Sequence, residues 1–105
     1  MTDQPSRETR PADIVHDSAQ SRFTATVDGH VAELVYERAG PGVLNLVHTR
    51  VPAELQGQGV GDALAVAAFT HAREQGSKVI LTCPFLRHWI LSHPEQRDIV
   101  LWGRR

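Results

Sequence analysis

The chain has 105 residues, a single cysteine and a formal net charge of −1. That length supports one modest core, and its 41% apolar content is ordinary for a globular fold and too high for a wholly disordered chain. Near-neutral charge gives no general attraction for nucleic acid or an anionic membrane, one cysteine excludes an intramolecular disulfide, and the longest apolar run, Ala63 to Phe69, falls far short of the ~20 residues that span a bilayer.

Met1 to Pro11 is polar, holds two prolines and has no periodic apolar residues. It reads as a disordered tail ahead of a single domain over residues 12–105. No signal-peptide core is present at the N-terminus, so a cytoplasmic location is expected. Ile14 and Val15 begin an extended segment. Ser21 to Val27 alternates, with Phe23, Ala25 and Val27 on one side, and so reads as a half-buried strand. Asp28-Gly29 is a two-residue hairpin signal. His30 to Glu37 returns as a second strand, with Ala32, Leu34 and Tyr36 on one face. Gly40-Pro41-Gly42 makes the next turn, and Val43 to Val51 is a long third strand with the apolar content of a central one.

Three glycines follow, Gly57, Gly59 and Gly61, and then a helix over Gly59 to Gln75 in which Val60, Leu64, Ala67, Ala68 and His71 recur at helical spacing. Five alanines favour that helix and allow it close to a sheet, and Gly76 is placed to end it. Val79 to Cys83 is a short strand. With one helix between, it lies parallel to the third strand. Pro84 suits the first position of a following helix over Phe85 to Ser92, Pro94 opens a turn, and Ile99 to Trp102 can pack or pair at a sheet edge. The expected fold is α/β (α+β): an antiparallel three-stranded meander, a β-α-β crossover and a short C-terminal helix.

A glycine-rich turn between a strand and a helix presents unpaired N–H groups and the positive end of the helix dipole, which suits a phosphate or pyrophosphate. The dinucleotide fingerprint is absent, since the glycines run G-x-G-x-G, and no Gly-Lys-Ser/Thr follows to make a P-loop. What Gln56-Gly57-Gln58-Gly59-Val60-Gly61 resembles is the pyrophosphate loop of the GCN5-related N-acetyltransferases, Gln/Arg-x-x-Gly-x-Gly/Ala. His48-Thr49 before the loop, and Cys83-Pro84-Phe85 and His93-Pro94-Glu95 after it, resemble the small single-domain subgroup of that superfamily. The resemblance covers roughly Phe23 to Glu95.

That resemblance implies a GNAT-like fold in which the two parallel central strands splay and the pantetheine arm of acetyl-CoA lies between them. It implies cofactor contacts at Thr49, Arg50, Val51, Gln56, Gly57, Gln58, Gly59, Val60, Gly61, Asp62 and Pro84. It also implies transfer of acetyl to a primary amine, either a small amine, a polyamine or a protein amine. His48 and Cys83 are the candidate catalytic residues. Imidazole suits taking a proton from an ammonium near neutral pH. Cys83 has three readings: a nucleophile that takes the acetyl group, a proton donor to the departing thiolate, or a small buried hydrophobe. A Cys83–His48 pair needs both side chains on one face, which strand register decides. Gln56 stands where many relatives have arginine, so the loop relies on backbone amides. Arg87, Arg97, Arg104 and Arg105 are candidates for the CoA 3′-phosphate. His88 and His93 lack a third donor at ligand spacing, so no metal is expected. The rival reading is a CoA or acyl-CoA binding module without turnover; a general nucleotide-phosphate binder is weaker. The assembly is expected to be a monomer or a homodimer paired through an edge strand.

Overall fold

Five strands hydrogen-bond in chain order into one sheet: β1 (Ile14–Asp17), β2 (Arg22–Val27), β3 (His30–Arg38), β4 (Val43–Arg50) and β5 (Lys78–Leu81). Helix α1 (Val60–Glu74) joins β4 to β5, and a six-residue helix α2 (Pro84–Trp89) follows β5. The structure, a computed structural model, describes residues 14–102. The expected Met1–Pro11 tail, Arg104 and Arg105 lie outside the described residues.

The meander is present, with β1 added antiparallel at its edge as a fourth strand. Asp28 and Gly29 both adopt positive φ, +51° and +81°, as a type I′ hairpin turn requires. β4 and β5 are parallel, as a strand–helix–strand crossover dictates. Alternate residues of the strands face one side and are buried: Phe23 and Ala25, Ala32 and Leu34 with Tyr36, Leu44 and Leu46, Val79 and Leu81. Helix α1 touches all five strands on that side. It buries Val60, Leu64, Ala65, Ala68, Phe69 and Ala72. Fully burying one such leucine contributes about 1.5–3 kcal/mol. The other face of the sheet is left open: Val15 and Val31 there are 59% and 46% exposed.

One irregularity sets which residues share a face. Val35 pairs with His48, but Tyr36 pairs with Leu46. Val47 is therefore an extra residue on β4, a β-bulge. It reverses the alternation, so Thr49 follows Leu44 and Leu46 onto the buried side, opposite Leu34, while His48 joins Val35 on the open side.

The ends of α1 are fixed by backbone chemistry. Ser77 N–H donates to Ala72 O (2.8 Å) and Gly76 N–H to Arg73 O (3.0 Å), with Gly76 at φ +68°. This is the Schellman closure, which caps the last free carbonyls. The Arg73 guanidinium binds the Asp98 carboxylate, the Gln96 side chain and the Glu95 carbonyl, which fastens the 3-10 turn Pro94–Ile99 to the helix end. Val100 then bridges Val79 in parallel and Leu101 N–H donates to Val79 O, so the chain end does pair at the β5 edge. Replacing Gly76 by alanine puts a Cβ at a left-handed position. It should cost about 1 kcal/mol in urea unfolding, and an unchanged midpoint would show that the closure does not hold the helix end.

His16 gives the fold a pH response. Its Nε2 lies 2.5 Å from the Tyr36 hydroxyl, its ring stacks on Phe23, and His71 is 4.3 Å away edge-on. Burial and then the nearby His71 hold its pKa below 6.5, against a smaller opposing pull from Asp17. The unfolded chain thus takes up this proton at higher pH than the folded one. The stabilising contribution is complete above 6.5 and is lost as pH falls from there through the lower folded value. The urea midpoint should drop between about pH 7.5 and pH 5.5, and drop less in His16→Gln. Equal drops in both proteins would remove His16 as a source.

Candidate functional site

The site is a fork in the sheet. β5 pairs with β4 only over Val43 to Leu46. Thr82 and Cys83 then both donate their N–H groups to Leu46 O, at 3.1 and 3.0 Å, and pairing stops. Pro84 has no N–H to continue a ladder, and its fixed φ suits the first position of α2, where it stands. β4 runs on to Arg50 with β3 as its only strand partner among the described residues. No strand pairs with the other edge of Thr49–Val51 among the described residues, and apart from the Val51 carbonyl, which accepts from Gln56 Nε2, that edge is open to an extended ligand.

The glycine loop closes one end of the fork. Gly57 and Gly59 adopt φ of +82° and +79°, the left-handed region that glycine reaches without strain. The amide side chains brace the turn from within: Gln56 Nε2 donates to Val51 O (3.1 Å) and Gln58 Nε2 to Glu54 O (3.0 Å). The Gln56 amide is thus committed to the loop itself. The first intrahelical bond runs from Ala63 N–H to Gly59 O, so the N–H groups of Val60, Gly61 and Asp62 have no helical acceptor. Together with the helix dipole they form an anion nest. Gly61 has a separate reason to lack a side chain, because a Cβ there would lie 3.0 Å from Phe85 Cζ.

These pieces enclose a cleft of about 600 Å³ between the end of β4, the loop, Phe85 and Trp89. Phe85 and Trp89 stand four residues apart, a spacing that suits packing of both against the sheet; Trp89 is buried, but Phe85 is 40% exposed and forms the cleft wall. A larger groove of about 920 Å³ runs along the other flank of α1 beside His16 and His71. It meets the cleft only at Gly59 and Asp62 and has no part in the fork.

Most of the residues singled out in the sequence do converge here. Thr49, Arg50, Val51, Gln56, Gly57, Gly59, Val60, Gly61 and Asp62 line the cleft. Cys83 sits at the crotch of the fork, 2% exposed, and its thiol donates to Thr49 Oγ1 at 3.3 Å. His48 is not with it. The Val47 bulge puts the imidazole, exposed, on the open face of the sheet, and a direct Cys83–His48 pair is not formed. Also on that open face, Thr82 Oγ1 donates to Asn45 Oδ1 at 2.7 Å across the last paired strands, a bridge with no signal in the residue spacing. Nor did the sequence indicate that Asp62 Oδ1 accepts from Trp89 Nε1 at 2.7 Å, since the two are 27 positions apart. No group of three metal-ligating side chains occurs among the described residues.

Comparison with known proteins agrees with this geometry. The family model described as GCN5-related N-acetyl-transferase matches residues 22–99. Protein NATD1 of Gallus gallus and of Homo sapiens are each 33% identical over 86 residues, covering 80% of this chain and 78% and 76% of theirs. A GCN5-like protein from Staphylococcus aureus, solved in solution by NMR, superposes with a TM-score of 0.71 at 30% identity, over 92% of this chain and 95% of that one. A five-stranded sheet that forks at a glycine loop, matched over most of its length by sequence and by structure, makes this chain a member of the GCN5-related N-acetyltransferase family.

Proposed function

We propose that the protein is an acetyl-CoA-dependent N-acetyltransferase that acylates a primary amine. The observation that carries the reading is the fork: a free strand edge at Thr49–Val51 leads straight into an anion nest at Val60–Asp62. An acyl-CoA has the matching shape, a chain of amides ending in a pyrophosphate. The nest would hold the pyrophosphate, and the free edge of β4 would pair with the pantetheine amides.

The two candidate catalytic groups would then act from opposite faces of the sheet. An amine approaching from the open face meets His48, which takes the ammonium proton. The amine nitrogen attacks the thioester carbonyl, the carbon–sulfur bond breaks with its electron pair leaving on the CoA sulfur, and the nitrogen gives up its second proton as the amide forms. Cys83, whose thiol donates to Thr49 on the closed side, would give a proton to that sulfur and take back the one the nitrogen releases. Its 2% exposure supports direct transfer over an acetylated cysteine, since a buried thiol is a poor nucleophile.

Intact-mass spectrometry with acetyl-CoA and no acceptor tests the route. No adduct of about 42 Da should form on Cys83, while bound acetyl-CoA is retained in native spectra. An adduct absent from Cys83→Ala would establish the covalent route. Release of CoA thiol on adding a panel of amines should fall about 100-fold or more in His48→Gln, with acetyl-CoA binding intact. Binding without release for any amine would point to a CoA-binding module. Gly59→Ala places a Cβ at φ +79°; it should lose about 1–2 kcal/mol of stability and weaken acetyl-CoA binding. Unchanged binding would count against the nest.

A further inference from the structure

Past the bulge, β4 presents His48 and Arg50 on the open face of the sheet and Thr49 on the buried one. Two residues apart on one strand face, the two side chains are rooted about 7 Å from each other. Without the extra residue at Val47, both would follow Leu44 and Leu46 onto the buried side. One bulge therefore carries a base and a permanent cation to the same open surface.

Arg50 is exposed there, and it also lines the cleft. The carboxylate across the ladder is Glu33, its direct partner on β3, yet Glu33 serves another cation. Arg22 Nη1 donates to Glu33 Oε1 at 2.9 Å, and Arg22 Nε donates to Asp17 Oδ2 at 3.4 Å. One guanidinium thus takes both acids of that part of the face. Among the described residues Arg50 makes no ion pair.

The groups around His48 are otherwise neutral. Val35 stands opposite it on β3. On the side away from the glycine loop comes Asn45, whose amide is held by Thr82. Glu37 lies beyond, one strand over and level with Asn45. The charges are therefore ordered along the sheet, with the acid away from the loop and the cation toward it. An alkylammonium or a polyamine approaching His48 meets a like charge at Arg50, with no nearby anion to offset it. An amine that brings its own carboxylate gains there instead.

We propose that Arg50 is a specificity-determining residue that binds a carboxylate on the acceptor. The acceptor is then a primary amine with an acid a few bonds away, as in a free amino acid or the N-terminus of an acidic peptide. A guanidinium suits that group because its planar fork matches a carboxylate. The inference rests on the transferase reading above and narrows its acceptor class.

The test is release of CoA thiol from acetyl-CoA at one fixed pH, with acceptors matched in pairs. β-Alanine is set against β-alaninamide, and an aspartyl dipeptide amide against its asparaginyl counterpart. Comparing each variant with the wild type on the same acceptor cancels the acceptor's own amine pKa. In Arg50→Gln, kcat/KM should fall about fivefold further for a carboxylate than for its carboxamide, a factor suited to a partly exposed ion pair. Arg50→Lys keeps the charge and should restore most of that difference. Arg50→Glu should reverse it and favour 1,4-diaminobutane. A guanidinium that only packs, or that only contacts acetyl-CoA, would lower every acceptor alike.

A difference within the β-alanine pair assigns the site to free amino acids, and one within the dipeptide pair alone assigns it to a peptide terminus. Equal losses across both pairs overturn the proposal. No thiol release by the wild type with any of these amines would bring down the transferase reading and this inference together. Release with no preference for a carboxylate removes this inference alone.

Discussion

Parallel pairing between β4 and β5 stops after four residues on each strand, and the site follows from that stop. Two things produce it. Pro84 cannot donate to a ladder and turns the chain into α2. The Val47 bulge bends β4 at the same level. The strand edge left free is at the carboxyl end of β4, where the crossover to α1 begins. Ligands of open α/β sheets bind in that place, because the crossover brings a helix N-terminus there. The amides of β4 and the N–H groups of α1 thereby point into one cleft.

Close packing keeps this geometry stiff. Ala65, Ala68 and Ala72 are fully buried against the sheet, and their small side chains bring the backbone of α1 near it. Leu55, 1% exposed in the 3-10 turn ahead of the loop, ties the loop to the same core. The loop gains further rigidity from Gln56 and Gln58, whose amides serve carbonyls within it. The nest is therefore left to N–H groups and the helix dipole.

What could be read from the sequence was what depends on neighbours along the chain. The hairpin at Asp28-Gly29, the alanine-rich helix, its end at Gly76 and the glycine loop are local, and all stand as expected. Strand β1 was visible only as Ile14 and Val15, because four residues carry too little alternation. The bulge could not be read: Val47 is one valine in an apolar run, and only pairing with β3 shows it as the extra residue. That one residue separates His48 from Cys83. The Asp62–Trp89 hydrogen bond was likewise hidden, since it joins two helices across 27 positions and leaves no periodic trace. The exposure of Phe85 is hidden for the same reason. Its spacing to Trp89 suggested packing, but Gly61 leaves room for its ring over the helix start.

The two borders of the sheet are finished differently. Val100 and Leu101 occupy part of the β5 border, whereas β1 ends the sheet with no further strand among the described residues. A sheet with two open borders can add copies of itself at both and grow into a fibre. A sheet with one open border can be extended once, by a second copy related through a two-fold axis, and the pairing then closes on itself. With Val100 and Leu101 against Val79, the β5 border is partly covered, and the β1 border is the one that no strand covers among the described residues.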